Sequence, residues 1–544
     1  MATLPPTSVA IGLALMVACS SPAPGAHGPA PGAAAPPRFE LATRCMVCHD
    51  GLVTPSGEDI SFGPAWRASM MANAARDPYW HAAVRREVLD HPAAQAAIED
   101  ECSKCHMPMA HAVARGAGAP QSVFAHTAGP DGVPPSADPL ALDGVSCSLC
   151  HQITDQRLGD RASFTGGFVL GAGAGARPMF GPYEVGRGHA RVMSSATGAV
   201  PTTSPHVQRS ELCATCHSLY THALGAGGEV IGELPEQVPY EEWLHSAYRD
   251  TRSCQSCHMP EVGVPTPITS VLGPPRSRVS RHDFRGANFF MLAVLNRYRS
   301  ELGVVATPLE LDAAVTRTRE FLQAHAARVT VATIDRDGAR LVAEVVVENL
   351  AGHKLPTAYP SRRVWLRVTV TDGAGRVVFA SGGLAATGAI DGNDNDLDPS
   401  RFEPHHAEIT SPEQVQIYEA ILGGPDGAVT TGLLTAVTYL KDNRLLPAGF
   451  DKPTAPPEVA VQGAALADPD FGAGADRVRY AIGIGDATGP FTFEVELWYQ
   501  PIGYRWADNL RAYDAFETRR FVTYYDAMAV ESALRLVSAR ATVP

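Results

Sequence analysis

From Thr307 onward the chain alternates apolar and polar positions with a period of two. Leu341, Ala343, Val345 and Val347 form one such run, and Val364, Leu366, Val368 and Val370 form the next. Val478, Tyr480, Ile482 and Ile484 repeat the pattern, as do Phe491, Phe493, Val495, Leu497 and Tyr499. Asp335–Gly338, Asp372–Gly375 and Gly485–Gly489 read as the turns between them. Half-buried strands with tight turns predict an antiparallel β-sandwich-like domain over residues 328–544. Helical pieces are expected within it near 430–440 and 518–531. Thr307-Pro-Leu-Glu310 is a capping box with Pro at the first helical position, and it starts a connecting helix over 301–327.

Before residue 300 the periodicity is weaker. Asp77-Pro78 opens a helix running to about Leu89, and Asp90-His91-Pro92 breaks it. A second helix runs through Glu101. The rest, 171–206 above all, is rich in Gly, Pro and polar residues, which leaves little apolar surface for a core. The fold class expected is therefore α+β and multidomain: a mainly helical and irregular domain over 38–300, then the β domain.

The chain has 544 residues, 45% of them apolar and 19% charged, which fits a folded globular protein of two or three domains. Its 44 Lys+Arg against 57 Asp+Glu give a net charge of -13 with no basic run, so nucleic-acid binding is set aside. Val9–Ala18 is an apolar run of ten, too short to span a bilayer and suited to an export signal. Cys19, directly after it, is the expected lipidation site, in a context that resembles a bacterial lipobox with Met16 where Leu is usual. A Pro/Gly/Ala tether follows to residue 37. The expected location is therefore exported, as a periplasmic or outer-membrane lipoprotein attached to the membrane through a lipid anchor.

Cysteine usage then changes the picture. Ten of the eleven cysteines form five C-x-x-C-H motifs: Cys45/Cys48/His49, Cys102/Cys105/His106, Cys147/Cys150/His151, Cys213/Cys216/His217 and Cys254/Cys257/His258. Chance placement yields far less than one copy. The pattern is that of c-type haem attachment, in which two thiols add to the vinyl groups of one macrocycle and the histidine takes an axial position on its iron. Disulfides need no His after every second Cys. Structural zinc wants four ligands, and five pairs each with its own His divide badly. The stoichiometry expected is five haem c groups, too closely spaced along the chain for separate domains.

With these motifs, the Cys-His-Met-Pro endings at His106–Pro108 and His258–Pro260, and the Trp243-Leu-His-Ser246 segment, residues 38–300 resemble the multihaem cytochromes c of bacterial periplasms. That group includes tetrahaem carriers, pentahaem nitrite reductases and octahaem hydroxylamine oxidoreductases. The resemblance implies haem c, export, and electron transfer or small-nitrogen redox chemistry. One departure stands out: the pentahaem nitrite reductases usually carry a Lys in place of His at the catalytic haem, and no C-x-x-C-K occurs here.

Second axial ligands must come from elsewhere in the chain. Sequence context favours His126, His206, His245, His282 and His353 as distal iron candidates, with His405-His406 as a further possibility and Met70, Met71, Met107 and Met109 as alternatives. Asp391, Asn393 and Asn395 space side-chain oxygens as the first half of a calcium loop does, so calcium is a candidate ligand there. Two functions follow. The first is a multihaem electron carrier exchanging electrons with redox partner proteins. The second is a periplasmic oxidoreductase acting on a small nitrogen or sulfur compound at one open haem. The carrier is favoured. Net negative charge, deepened by haem propionates, suggests steering of basic partners.

Overall fold

The computed structural model describes Met1 and residues 39–130, 132, 136, 138–171 and 177–544. The apolar run at 9–18, Cys19 and the tether lie outside the described residues. Among the described residues no helix is long and apolar enough to cross a membrane.

The first half is built of short helices separated by irregular chain: α1 (Ala42–His49), α2 (Pro78–Asp90), α3 (Gln95–His106), α4 (Cys147–Cys150), α5 (Arg187–Thr197), α6 (Ser210–His217), α7 (Pro239–Leu244) and α8 (Cys254–His258). Asp77 caps α2 as its sequence predicts, its carboxylate accepting the N–H groups of Tyr79 and Trp80 at 2.8 and 3.2 Å. Two further helices follow, the apolar α9 (Phe289–Arg297) and the longer α10 (Pro308–His325). The capping box of α10 is complete: Thr307 Oγ1 accepts the Glu310 N–H, and Glu310 accepts the Thr307 N–H at 2.9 Å. Glu310 also pairs with Arg67, tying this helix to the first half.

The second half contains β1 (Ala327–Asp337), β2 (Arg340–Asn349), β3 (Arg363–Thr371), β4 (Val377–Ser381), β5 (Glu408–Ile409), β6 (Ile417–Gly423), β7 (Val429–Thr430), β8 (Thr438–Asp442), β9 (Ala475–Gly483), β10 (Phe491–Gln500) and β11 (Leu534–Val543), with helix α11 (Phe516–Met528) between the last two strands. One sheet runs β7-β6-β3-β10-β11, with β4 added on β3 and β8 on β6. The other runs β5-β9-β2-β1. Pairing is antiparallel except for β5 on β9. The expected alternation is visible as burial: Leu341, Ala343, Val345 and Val347 of β2 and Phe493, Val495 and Leu497 of β10 are fully inside.

The described residues from 39 to 544 make one compact unit. Its largest apolar cluster joins both sheets to α9 and α10 and reaches Tyr79 of α2, so the two halves share a core. The helix expected near 430–440 is instead turn and strand. The Glu87 carboxylate of α2 accepts the N–H groups of Leu433 and Leu434 at 2.8 and 3.2 Å, and β8 then pairs with β6. Tertiary hydrogen bonds override the local pattern there.

Candidate functional site

All five C-x-x-C-H motifs lie on single helical turns. Two cysteines three apart project from one face, and the histidine follows at or just past the helix end. None of the ten thiols is in a disulfide. One continuous cavity of about 1480 Å³ runs past all ten thiols and all five imidazoles.

Four of the five motif histidines are oriented the same way. The Nδ1 positions lie 2.6 Å from the Ile268 carbonyl for His49, 3.0 Å from Ala74 for His106, 2.6 Å from Phe180 for His151 and 2.5 Å from Arg285 for His258. A carbonyl only accepts, so the ring proton resides on Nδ1 and Nε2 presents its lone pair to the cavity. Burial lowers the pKa of His106 and His217 to about 4, and lowers those of His151 and His258. Neutral imidazole is the form that binds metal. Trp80 stacks parallel on His106, centroids 4.2 Å apart and planes 1° from parallel, further fixing that ring.

The motifs meet out of sequence order. The thiols of Cys45 and Cys147 interact, as do those of Cys105 and Cys216 and those of Cys213 and Cys254. Backbone contacts agree. Ser148 Oγ donates to the Glu40 carbonyl at 2.7 Å beside the first and third motifs. Ser210 Oγ accepts the Cys254 N–H at 3.1 Å between the fourth and fifth. Gly166 links the second and fourth: its N–H donates to the Thr215 carbonyl at 2.7 Å, and at φ +73° a Cβ there would meet Lys104 at 2.9 Å.

The distal candidates divide. His282 stands parallel to His151, centroids 6.4 Å apart and planes 15° from parallel. His353 faces His258 in the same manner, at 6.2 Å and 13°. Imidazole–metal bonds of about 2 Å, with each ring centre about 1 Å beyond its nitrogen, put two rings on one metal about 6 Å apart. Both second rings line the cavity. Their Nδ1 atoms lie against carbonyls, Ser280 at 3.1 Å and Lys354 at 2.9 Å, which leaves each Nε2 free. His206, by contrast, has both nitrogens engaged, with the Ser204 hydroxyl at 2.7 Å and the Ile153 carbonyl at 2.8 Å. His126 is buried with Nδ1 against Ser136 O, and His245 is exposed; neither lines the cavity. His405 packs in the β half with Asp468 on Nε2 and the amides of Gln416 and Asn443 on Nδ1, and His406 pairs with Glu403. Met70 and Met71 line the cavity, whereas Met107 and Met109 are fully buried.

The His353 loop is held by four buried charges. Lys354 pairs with Asp442 at 2.6 Å, Arg444 with Asp442 at 2.8 Å and with Glu242 of α7 at 3.0 Å. Glu242 also accepts the Lys354 N–H at 3.1 Å and the Thr357 hydroxyl. Sequence reading missed this cluster because its members are ordinary charged residues scattered over both halves. It also missed a cavity-lining group beside Cys102. Tyr79 and Tyr359 meet there edge to face, ring centroids 5.7 Å apart, and burial pushes Glu236 up to about 7. Tyr499 likewise reaches the cavity from β10, its hydroxyl buried without a protein partner. Such an orphaned phenol suits a bound group with polar edges, and with the thiols and free Nε2 atoms the lining fits haem. In the candidate calcium segment, Asn393 Oδ1 accepts the Asn395 N–H at 3.2 Å and Asn395 Nδ2 donates to Arg401 O at 2.7 Å, while Asp391 lies against Gly383.

No protein-family model matches the sequence, and no curated protein matches it. Among solved structures, the chain is similar to a penta-heme cytochrome c552 from Thermochromatium tepidum, with a TM-score of 0.52 and 15% identity over 93% of this chain and 99% of that one. At that identity the likeness is one of fold, and it extends through the β half as well as the motif-bearing half.

Proposed function

We propose that the chain is a multihaem c-type cytochrome that carries electrons through five covalently attached haems. The observation that carries this reading is the single cavity onto which ten free thiols and five imidazoles converge, four of the imidazoles with Nε2 left open by the same Nδ1 hydrogen bond. The penta-heme name of the structural neighbour supports it. Haem iron, when bound, supplies a one-electron couple at each motif. The protein's own residues would do the rest: the thiols would hold each macrocycle, His49, His106, His151, His217 and His258 would ligate the irons, and His282 and His353 would be second ligands with His151 and His258. Export and acylation of Cys19 belong to the same reading, because haem c attachment and a lipid anchor both suit an extracytoplasmic protein.

A pyridine haemochrome assay tests it, with five haems per chain expected and any other count overturning it. A second reading, an oxidoreductase with one open haem, is favoured by the Tyr79–Tyr359 pair and Glu236 in the cavity wall, which hold protons near Cys102. An EPR spectrum of the oxidised protein separates the two: only low-spin signals mean a carrier, and a high-spin ferric signal means an open site.

A further inference from the structure

Around the first motif, two large apolar side chains stand in solvent. Val47, between the two cysteines, is 72% exposed, and Leu272 is 92% exposed. Val192 and Val271, beside them, line the cavity under this face. Hydrogen bonds join the three segments that carry these side chains. Ser270 N donates to the Cys48 carbonyl at 2.9 Å, binding the 270–272 turn to α1. His189 of α5 lies 3.2 Å from the carbonyls of Val271 and Leu272, binding α5 to the same turn. Arg44 of α1 donates to the Ala196 carbonyl at the end of α5. Leu272 holds a left-handed φ of +50°, a conformation disfavoured for leucine, while its side chain is left in solvent.

The charge on this face is opposite in sign to the chain's -13. Arg187 and Arg191 are one turn apart on α5, both exposed and with no ion pair to any described residue; Arg44 adds a third positive charge. Helix α5 contains no acid. The acids nearest in the chain are Asp50, which ends α1 and accepts the Gly63 N–H at 2.7 Å, Glu184, exposed before α5, and Glu40, paired with Arg177 at 3.4 Å.

We propose that this face is where an electron-transfer partner docks: a small redox protein whose exposed cofactor edge lies within an acidic rim. The proposal rests on the electron-carrying reading above and names the end of the array at which electrons cross between proteins. The uncharged centre formed by Val47 and Leu272 expels water over the first motif, and the three arginines orient the acidic partner. In each encounter the partner gives up one electron and one ferric centre of the chain becomes ferrous.

Stopped-flow reduction of the holoprotein by reduced flavodoxin, an acidic protein with a single flavin, tests the idea. The Arg187→Glu/Arg191→Glu variant is expected to lose at least tenfold in second-order rate and most of the salt dependence. Leu272→Ala is expected to slow the reaction several-fold while keeping the wild-type salt slope. A double variant reduced as fast as wild type overturns the docking face. So does concentration-dependent dimerisation that Leu272→Glu abolishes, because a second copy then covers the patch. Dithionite, which needs no docking, is the control: wild-type protein that dithionite leaves oxidised sinks the electron-carrying reading itself, and equal dithionite reduction of wild type and variant localises any rate loss to docking.

Discussion

His353 is separated from the fifth motif by two helices and four strands, yet its ring lies parallel to His258 at bonding distance for a shared metal. Replacing it, or His282, by Ala should convert one haem each from low to high spin in the oxidised EPR spectrum. His206→Ala and His245→Ala should leave that spectrum unchanged, since His206 has no free nitrogen and His245 is outside the cavity. His353→Met should instead keep a low-spin signal and raise one midpoint potential, as Met/His ligation does. Asp77 gives a residue-level pH prediction. Burial raises its pKa from 3.8 to about 6, so the folded state holds the proton more tightly than the unfolded one. Its stabilising contribution is then fully present below pH 3.8 and is lost as pH rises through 6. Asp77→Asn retains an N-cap of equal quality and should flatten that part of the stability profile, measured by urea unfolding at pH 4 and pH 7. An unchanged slope would refute the assignment.

Among elements, the informative one is the irregular segment between β2 and β3. The sequence marks it as a break between two strongly alternating strands that contains a histidine, and that much was legible. What holds it was not, because Glu242 precedes the fifth motif, Asp442 ends β8 and Arg444 follows it. The four charges are almost wholly buried, Lys354 at 0% side-chain exposure and Glu242 likewise. Removing one member of a buried ion pair costs on the order of 3–5 kcal/mol, since the partners stay buried without compensation. Glu242→Gln should therefore lower unfolding free energy by about 3 kcal/mol in urea titration and broaden the low-spin signal that depends on His353. A loss below about 1 kcal/mol with an unaltered spectrum would show that the cluster neither stabilises nor positions the loop. The 430–440 stretch teaches the converse: a local helical pattern yields where Glu87 and strand pairing claim its backbone groups.

At the scale of the whole molecule, the motif-bearing half and the β half share one apolar cluster, and the β half delivers His353, Tyr359 and Tyr499 to the cavity. A chain cut after residue 300 should consequently lose the low-spin ligation at His258 even where all five haems attach. Comparing its haemochrome count with its EPR spectrum checks this, and a truncated protein with the full set of low-spin signals would contradict it. The molecule's net charge and its local charge also part company: the chain is acidic overall, yet the face over the first motif is basic.

The sequence by itself determined what depends on a few adjacent residues. Covalent attachment needs two thiols and an imidazole within five positions, so the motifs and their number are written in one dimension, as are the capping box at Thr307 and the alternating strands after it. Only the tertiary structure decided which motifs adjoin, that the first meets the third and the fourth meets both the second and the fifth, and which histidine faces which. Those facts depend on where distant chain segments return in space. A single histidine carries no mark of its destination: the ring of His206 is spent on local hydrogen bonds and that of His353 is not, and only the packing of β2, β3 and the Lys354–Asp442–Arg444–Glu242 cluster makes the difference.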